Sequence, residues 1–388
     1  MHHVYWPWSI THDASCCQLP ILVLYADKRA RHDQCVTLDE RFDDLLVRYG
    51  KSAQAVAAID ASLKQMKAVE AALISFLGWE GLDAYTFTCR GWSTEREISL
   101  SGARAMAKAM ESLGHTVTLF DLKDFDALLA VAKEHDCAII NLHGQPGEDG
   151  LVQAMLDTIG LPYQGTGPAG SFLALNKAAT KQVVRHHGLL TPDWEFLPTR
   201  PDAHWTPRLP FPLFVKSDTG GSSIHLARVT EKAELWAVME EIFQAGCGVL
   251  VEEAIAGREV TCGILGGQAL PPVLIEPVHG SYFDYSSKYA EDGAREICPA
   301  PLPEQIIADI QEKALAAHSI LGLDGLSRSD FILDDQNRLY LLEVNTLPGM
   351  TATSLVPREA KACGLDFPAL MQRFIDLALA KKPGNGRG

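Results

Sequence analysis

Basic residues are scarce in this 388-residue chain, where 34 Lys and Arg stand against 49 Asp and Glu for a net charge of −15. A surface that acidic repels phosphate backbones and anionic lipid, which argues against nucleic acid and against a membrane as partners. A phosphorylated substrate would therefore need a local cluster of lysine and arginine. Cysteine pairs are lacking as well. Cys16, Cys17, Cys35, Cys89, Cys137, Cys247, Cys262, Cys298 and Cys363 are odd in number and hold no C-x-x-C spacing, so they read as reduced thiols of a cytosolic protein. The adjacent Cys16 and Cys17 near His12 lack the spacing of metal ligands. There is no long apolar run near the N-terminus: Pro20 to Tyr25 is the longest, too short for a signal peptide core and far too short to cross a bilayer. Internal repeats and low-complexity segments are absent too. What remains is 47% hydrophobic and 21% charged, a globular composition long enough, at about 150 residues per domain, for two to three domains with clefts between them.

Residues 52–77 place Val56, Ile59, Leu63, Met66, Val69, Leu73 and Leu77 at three-to-four spacing, which predicts an amphipathic helix whose stripe needs a partner surface. From about residue 83 the pattern alternates. Strands are expected at 84–89, 116–119 and 137–142, with helices at 97–113, 124–134 and 151–159, a βαβ rhythm that predicts a parallel sheet. Such sheets bind ligands at the carboxyl ends of their strands, where 91–95 and the His143-Gly-Gln-Pro-Gly-Glu-Asp-Gly150 segment fall. For the latter, an ordinary turn with Asp149 capping the next helix is the plainer reading. Further on, strands are expected at 211–216, 225–229 and 248–252, helices at 231–244, 303–321 and 367–380, and a hairpin at 328–345.

The hairpin carries the most information. A tight four-residue turn, Asp334 to Asn337, sets Leu333 opposite Arg338, Asp330 opposite Leu341 and Arg328 opposite Glu343. Arg328, Asp330, Glu343 and Asn345 then share one face, and Phe331, Leu333, Tyr340, Leu342 and Val344 share the core face. Two readings fit the polar face: hard-oxygen ligands for magnesium bridging phosphates, or a solvated surface with an Arg/Glu cross-strand pair. A slip of one residue would flip every side chain. Lys216-Ser-Asp-Thr-Gly-Gly-Ser-Ser223 follows a strand, where freed amides, hydroxyls and one lysine can surround a phosphate. It is not a Walker loop, because the lysine comes first, and a plain β-turn loop fits equally. Glu252 and Glu253 close a strand, with Glu259 beyond; alone they read as solvated charges.

Taken together, eight segments resemble the D-alanine:D-alanine ligases of the ATP-grasp superfamily. They are Ser93 to Gly102, His143 to Gly150, Leu161 to Gly167, Lys177 with Lys181, the 216–223 loop, Tyr282 to Tyr289, Arg328 to Asp330, and Leu342 to Pro357, and they span residues 81 to about 380. The run Glu343-Val-Asn-Thr-Leu-Pro-Gly-Met-Thr351 followed by Ser354-Leu-Val-Pro357 is highly specific for that family. The resemblance implies an α/β, ATP-grasp fold of three α/β domains. These would be an N-terminal substrate-binding domain with a parallel sheet at 81–167, a central subdomain at 168–255 and a C-terminal subdomain at 256–388. Residues 1–80 match nothing in the family and read as an added N-terminal extension, either an accessory layer or chain upstream of the true start.

It also implies the activity: ATP phosphorylates the carboxylate of one D-alanine, and the amine of a second displaces phosphate to give the dipeptide of peptidoglycan synthesis. By resemblance, Lys177 and Lys216 hold ATP phosphates, Glu252 with the backbone of Glu253 and Ile255 meets adenine, and Glu259 takes the ribose. Lys288 contacts the transferred phosphoryl group, while Asp330, Glu343 and Asn345 ligate two Mg2+ or Mn2+ ions. Arg328 and the Gly349 amide serve the oxyanion, Glu95 takes the first alanine's ammonium, Ser354 the second one's carboxylate, and His143 lies at the substrate. Ser222, Tyr289 and Glu95 form a hydrogen-bonded trio that holds the 278–298 loop over the site. Tyr289, which the family associates with amine acceptors, favours D-alanine as the second substrate; a relative that joins D-lactate, D-serine or another amino acid, and an inactive nucleotide-binding relative, are the alternatives. Arg90, Asn176, Glu253 and His225 depart from the family pattern. A homodimer is the implied assembly.

Overall fold

A computed structural model describes residues 30–31, 34–35, 38–49, 51–52, 55–64, 66–67, 96–122, 128–219, 226–277, 294–351 and 353–381. The chain divides into two units, Met1–Arg90 and Gly91–Gly388. In the first, β1 (Ala30–Arg31) pairs antiparallel with β2 (Gln34–Cys35), and a helix runs over Leu38–Tyr49. Of the predicted 52–77 helix, 55–64 and 66–67 are described and helical. Met66 and Phe42 are buried, and Lys67 pairs with Asp39 at 2.6 Å.

Among its described residues the second unit has a helix over Arg96–Ser112, one residue from its predicted start, and another at Leu151–Ile159, as predicted. The parallel sheet expected between them is not built among the described residues. Residues 115–121 form no strand, and 137–142 contribute one parallel bridge, Ala138 to Tyr163. The segment 84–89 that would stand beside them lies outside the described residues. Of the expected 124–134 helix, residues 128–134 are described: Leu128–Ala132 is helical and 133–134 form a turn.

Both larger sheets are antiparallel. The first has four strands, β3 (Trp194–Leu197), β4 (Leu213–Ser217), β5 (Leu226–Val229) and β6 (Val249–Glu253), in the order β3-β6-β4-β5. The helix Lys232–Gln244 turns Leu235, Met239 and Ile242, spaced for one helical face, onto Leu213, Val215, Val249 and Val251. Because strand side chains alternate, that packing leaves Lys216 and Glu252 on the other face.

The second sheet holds β7 (Arg258–Leu265), β8 (Gln268–Ala269), β9 (Val273–Pro277), β10 (Ala294–Ile297), β11 (Leu326–Leu333) and β12 (Leu339–Asn345). Its order is β10-β9-β7-β11-β12, with β8 on β7. The helix Glu304–Ile320 packs Ile310, Ala314 and Ala317 against Val260, Cys262, Ile264, Phe331 and Leu333. Alternation again sends the neighbours Glu259, Thr261, Arg328 and Asp330 to the opposite face. The two sheets thus each have one oily face under a helix and one polar face, and the polar faces carry the predicted site.

The hairpin register differs from the expected one. Its turn holds five residues rather than four, since the Asp334 carboxylate accepts the N–H groups of Gln336 (2.9 Å) and Arg338 (2.8 Å) and the Arg338 Nε (2.7 Å), and Asn337 takes φ 59°. Leu333 therefore faces Leu339, and Phe331 faces Leu341, so Leu339 and Leu341 are core where Tyr340 and Leu342 were expected. A bulge between Asp330 and Phe331 then shifts the ladder by one more residue, which puts Asp330 opposite Glu343 and Arg328 opposite Asn345. Two one-residue shifts restore parity, and the predicted polar face survives an incorrect register.

Candidate functional site

The helix Lys177–His186 organises the site. It is capped by the Asn176 side chain, which accepts the Ala179 N–H at 2.8 Å, and by Asp218, whose carboxylate accepts the Ala178 N–H at 2.8 Å. Burial raises the pKa of Asp218, while the Ala178 hydrogen bond, Lys177 and Lys216 oppose the rise. Lys177 and Lys181 are four residues apart and lie on one face of this helix. They serve different sheets. Lys177 Nζ reaches Glu343 Oε2 on β12 at 3.3 Å, and Lys181 Nζ reaches Glu252 Oε1 on β6 at 2.9 Å.

Glu252 also takes Lys216 Nζ, at 2.8 Å from Oε2. The carboxylate is 2% exposed, and although its own burial works to raise its pKa, Lys181 and Lys216 together lower it. It is not the solvated charge that its sequence neighbourhood suggested; Glu253 beside it is exposed. Lys216 lies near the end of β4, and the loop after it is described as far as Thr219, residues 220–225 lying outside. Two lysines share one buried carboxylate beside that loop, which also carries Asp218; they are the local lysine cluster an acidic protein needs to receive a phosphorylated ligand.

On the second sheet, Arg328 pairs within its own strand rather than with Glu343. Its Nε and Nη2 donate to the two Asp330 oxygens at 2.8 and 2.7 Å, a bidentate fork. Thr261, directly across on β7, donates its hydroxyl to Asp330 Oδ1 at 2.5 Å. Burial works against the Arg328 charge, but Asp330, Glu343 and Glu359 outweigh it and raise its pKa. Asn345 Oδ1 accepts the Leu347 N–H at 2.9 Å, which fixes the chain as it leaves the strand. Glu259 lies on the same face of β7, two residues before Thr261. Beyond the hairpin, Ser354 Oγ accepts the Thr351 N–H at 3.0 Å and starts the helix Leu355–Ala362, and it stands 3.1 Å from where a Cβ on Gly349 would be. Gly349 thus permits close approach to a hydroxyl at a helix N-terminus, where an anion is favoured.

Asp330, Glu343 and Asn345 offer two carboxylates and an amide oxygen, hard donors that fit magnesium or manganese. Among the described residues no group of three His, Cys, Asp or Glu is placed to hold a metal, and the Asp330 oxygens accept from Arg328 and the Asn345 oxygen from the Leu347 N–H. His143 belongs to a separate polar group: its N–H donates to Ser99 Oγ at 3.0 Å, and its Nδ1 lies 3.9 Å from Glu148. Asp149 accepts the Leu151 N–H at 3.0 Å, although Gly150 holds the N-cap position. Ile255 is half-buried. Glu95, Ser222, Lys288 and Tyr289 lie outside the described residues.

Sequence reasoning gave no role to Lys181, Thr261 or Glu359. The first could have been found from its helical spacing to Lys177, and the second from alternation with Glu259. Glu359 is fully buried against the Gly263 amide, a contact across 96 residues that has no local signal.

A family model described as the D-ala D-ala ligase C-terminus matches residues 175–376. The D-alanine–D-alanine ligase of Desulfovibrio desulfuricans is 62% identical over 291 residues, which cover 75% of this chain and 95% of that protein. That of Lawsonia intracellularis is 57% identical over 290 residues, 74% of this chain and 96% of the relative. Among solved structures, the D-alanine–D-alanine ligase of Bacillus anthracis superposes with a TM-score of 0.68 at 33% identity, covering 74% of this chain and 94% of that one. The same protein complexed with ATP gives 0.66 at 31% identity, with the same coverage.

Proposed function

The chain belongs to the D-alanine–D-alanine ligase family and is an ATP-dependent ligase that joins two D-alanines for peptidoglycan synthesis, and we propose that it does so through an acyl phosphate made at the cleft between its two antiparallel sheets. The observation that carries this placement is the helix Lys177–His186, whose two lysines reach Glu343 on one sheet and Glu252 on the other.

A carboxylate resists attack by an amine until one of its oxygens becomes a good leaving group. Transfer of the terminal phosphoryl group of ATP to the first D-alanine supplies one, and the chain must gather cations where the phosphate charge concentrates. Lys216 and Lys177 do this, each turning from a carboxylate partner toward the nucleotide. Glu252 accepts from the adenine amino group, the backbone of Glu253 and Ile255 lines the base, and Glu259 takes the ribose hydroxyls. Two magnesium or manganese ions, held by Asp330, Glu343 and Asn345, would offset the charge of the phosphates. Arg328, oriented by its fork to Asp330, faces the oxygen that becomes negative when the second amine attacks, joined by the Gly349 amide. The Ser354 hydroxyl and the helix N-terminus behind it receive the carboxylate of the second D-alanine. Glu95 takes the ammonium of the first, with His143 beside the substrate, while Lys288 meets the transferred phosphoryl group and Ser222 and Tyr289 close the loop.

This assignment carries with it three ligase domains, at 81–167, 168–255 and 256–388, an extension over 1–80, a homodimer and a cytoplasmic location. No helix among the described residues is long and apolar enough to cross a membrane. Phosphate release from ATP that depends on both magnesium and D-alanine tests the reading; release that ignores D-alanine would refute it.

A further inference from the structure

Lys181 has no role in the chemistry above, yet it is among the most deeply buried charged groups of the chain, at 1% exposure. Its ammonium has three partners. It forms an ion pair with Glu252 Oε1 at 2.9 Å and donates to Thr191 Oγ1 at 2.6 Å and to the Pro192 carbonyl at 3.4 Å. Thr191 passes the connection on, donating its hydroxyl to the Leu341 carbonyl on β12 at 2.8 Å. A single buried chain of polar contacts therefore runs from Lys216 on β4 through Glu252, Lys181 and Thr191 to the hairpin of the other sheet. Trp194, directly across from Glu252 on β3, lies beneath the same ammonium at 5.5 Å from its ring centre.

Burying an ammonium is costly, and burial does pull the Lys181 pKa down, to about 8, with Glu252 acting against the fall. A salt bridge this dry is weak as a source of stability and strongly sensitive to losing one partner. Glu252 has two cations, and they differ in what they are free to do. Lys216 sits at the mouth of the loop and turns to phosphate when nucleotide binds. Lys181 is buried and held by Thr191 and Pro192, and it stays. At that moment Lys181 alone keeps Glu252 a carboxylate.

From this geometry we infer that Lys181 is a positioning residue that sets nucleobase selectivity by holding Glu252 in its ionised, acceptor-only form. The inference rests on the proposed contact of Glu252 with adenine. An ionised carboxylate accepts hydrogen bonds and donates none, so it takes the 6-amino group of adenine and repels the 6-keto oxygen of hypoxanthine. Without Lys181 a buried carboxyl left unpaired takes up a proton, gains a donor and loses that discrimination.

The test compares ATP with ITP, which differ at position 6 of the base, as substrates of the full chain with D-alanine and magnesium, reading kcat and KM for each. Lys181→Met, which keeps the length of the side chain and removes its charge, is expected to lower the ATP-over-ITP ratio of kcat/KM by roughly tenfold or more, mainly through KM. Glu252→Gln should lower it similarly, and the double variant should show no further loss, because both act through one carboxylate. If Lys181→Met does not fold, Thr191→Val, which withdraws one partner of the ammonium, should shift the ratio several-fold in the same direction. An unchanged ratio in Lys181→Met, or in Thr191→Val where that variant has to serve, overturns the inference, as does additivity in the double variant. A wild type that uses ATP and ITP equally overturns the adenine assignment beneath it and the inference with it. A wild-type preference that survives Lys181→Met overturns the inference alone.

Discussion

Replacing Glu359 by Gln should stabilise this protein at neutral pH and do nothing in acid. Glu359 lies on the helix Leu355–Ala362 with none of its surface exposed. Its Oε1 accepts the Gly263 N–H at 3.0 Å, and a side chain on Gly263 would collide with its Oε2. That second oxygen has no hydrogen-bond partner among the described residues. Burial pushes the carboxyl up from its ordinary 4.5 to about 8; the Gly263 bond and Arg328 oppose this and Asp330 adds to it. The folded chain thus keeps a proton that the unfolded chain releases above about pH 4.5. This contribution to stability is complete below that pH and is lost progressively as the pH rises toward 8. At about 1.4 kcal/mol for each pH unit, the loss by pH 7 is about 3 kcal/mol. Gln keeps the acceptor for Gly263 and carries no proton to lose. Urea unfolding at pH 5, 6, 7 and 8 should show the two proteins nearly equal at pH 5 and the variant ahead by about 3 kcal/mol at pH 7. A difference that does not change with pH, or a variant less stable at pH 8, would refute the argument.

Asp330→Asn and Glu343→Gln should each lower kcat by about 100-fold or more, since each removes charge that the phosphates' counter-ions require and Asp330 also orients Arg328. Near-normal turnover in either variant, measured by phosphate release, contradicts the assignment of the hairpin face. Asn176→Ala removes the side-chain cap of the helix that presents Lys177 and should cost about 1 kcal/mol of stability. Its KM for ATP should rise more than its kcat falls, and a Tm and KM equal to wild type would show that the Asp218 cap suffices.

Alternation of apolar and polar residues makes much of this fold legible in the sequence. The strands expected at 211–216, 225–229 and 248–252, the hairpin strands, and the helices at 231–244, 303–321 and 367–380 fall within a residue or two of expectation, because their apolar spacing is strong and their burial follows it. The hairpin shows how a correct conclusion can sit on an incorrect register. The longer turn comes from Asp334 bonding three groups of its own loop, and the bulge beside Asp330 from the ladder beyond, and neither has a signature in a run of alternating residues. Cross-strand partners are legible only to parity, so Arg328 is expected opposite Glu343 and is in fact opposite Asn345, forked to Asp330. The parallel sheet near the start of the second unit rests on short apolar runs, and at 137–142 such a run yields a single bridge. Glu252 reads as a solvated charge for the opposite reason. Its two lysines come from positions 181 and 216, and nothing local to residue 252 announces them. Family likeness, not spacing, supplies its role.

The central claim is that the cleft carrying Lys177, Lys216, Glu252 and the Arg328–Asp330–Glu343–Asn345 face makes a peptide bond between two D-alanines. Incubating the full chain with ATP, magnesium and D-alanine, alone and mixed with D-lactate or D-serine, and identifying the products by mass tests it most directly. The account predicts D-alanyl-D-alanine as the main product, with one phosphate released per dipeptide and none in the absence of D-alanine. A mixed product in preference to the dipeptide, or ATP hydrolysis with no ligated product, would contradict it.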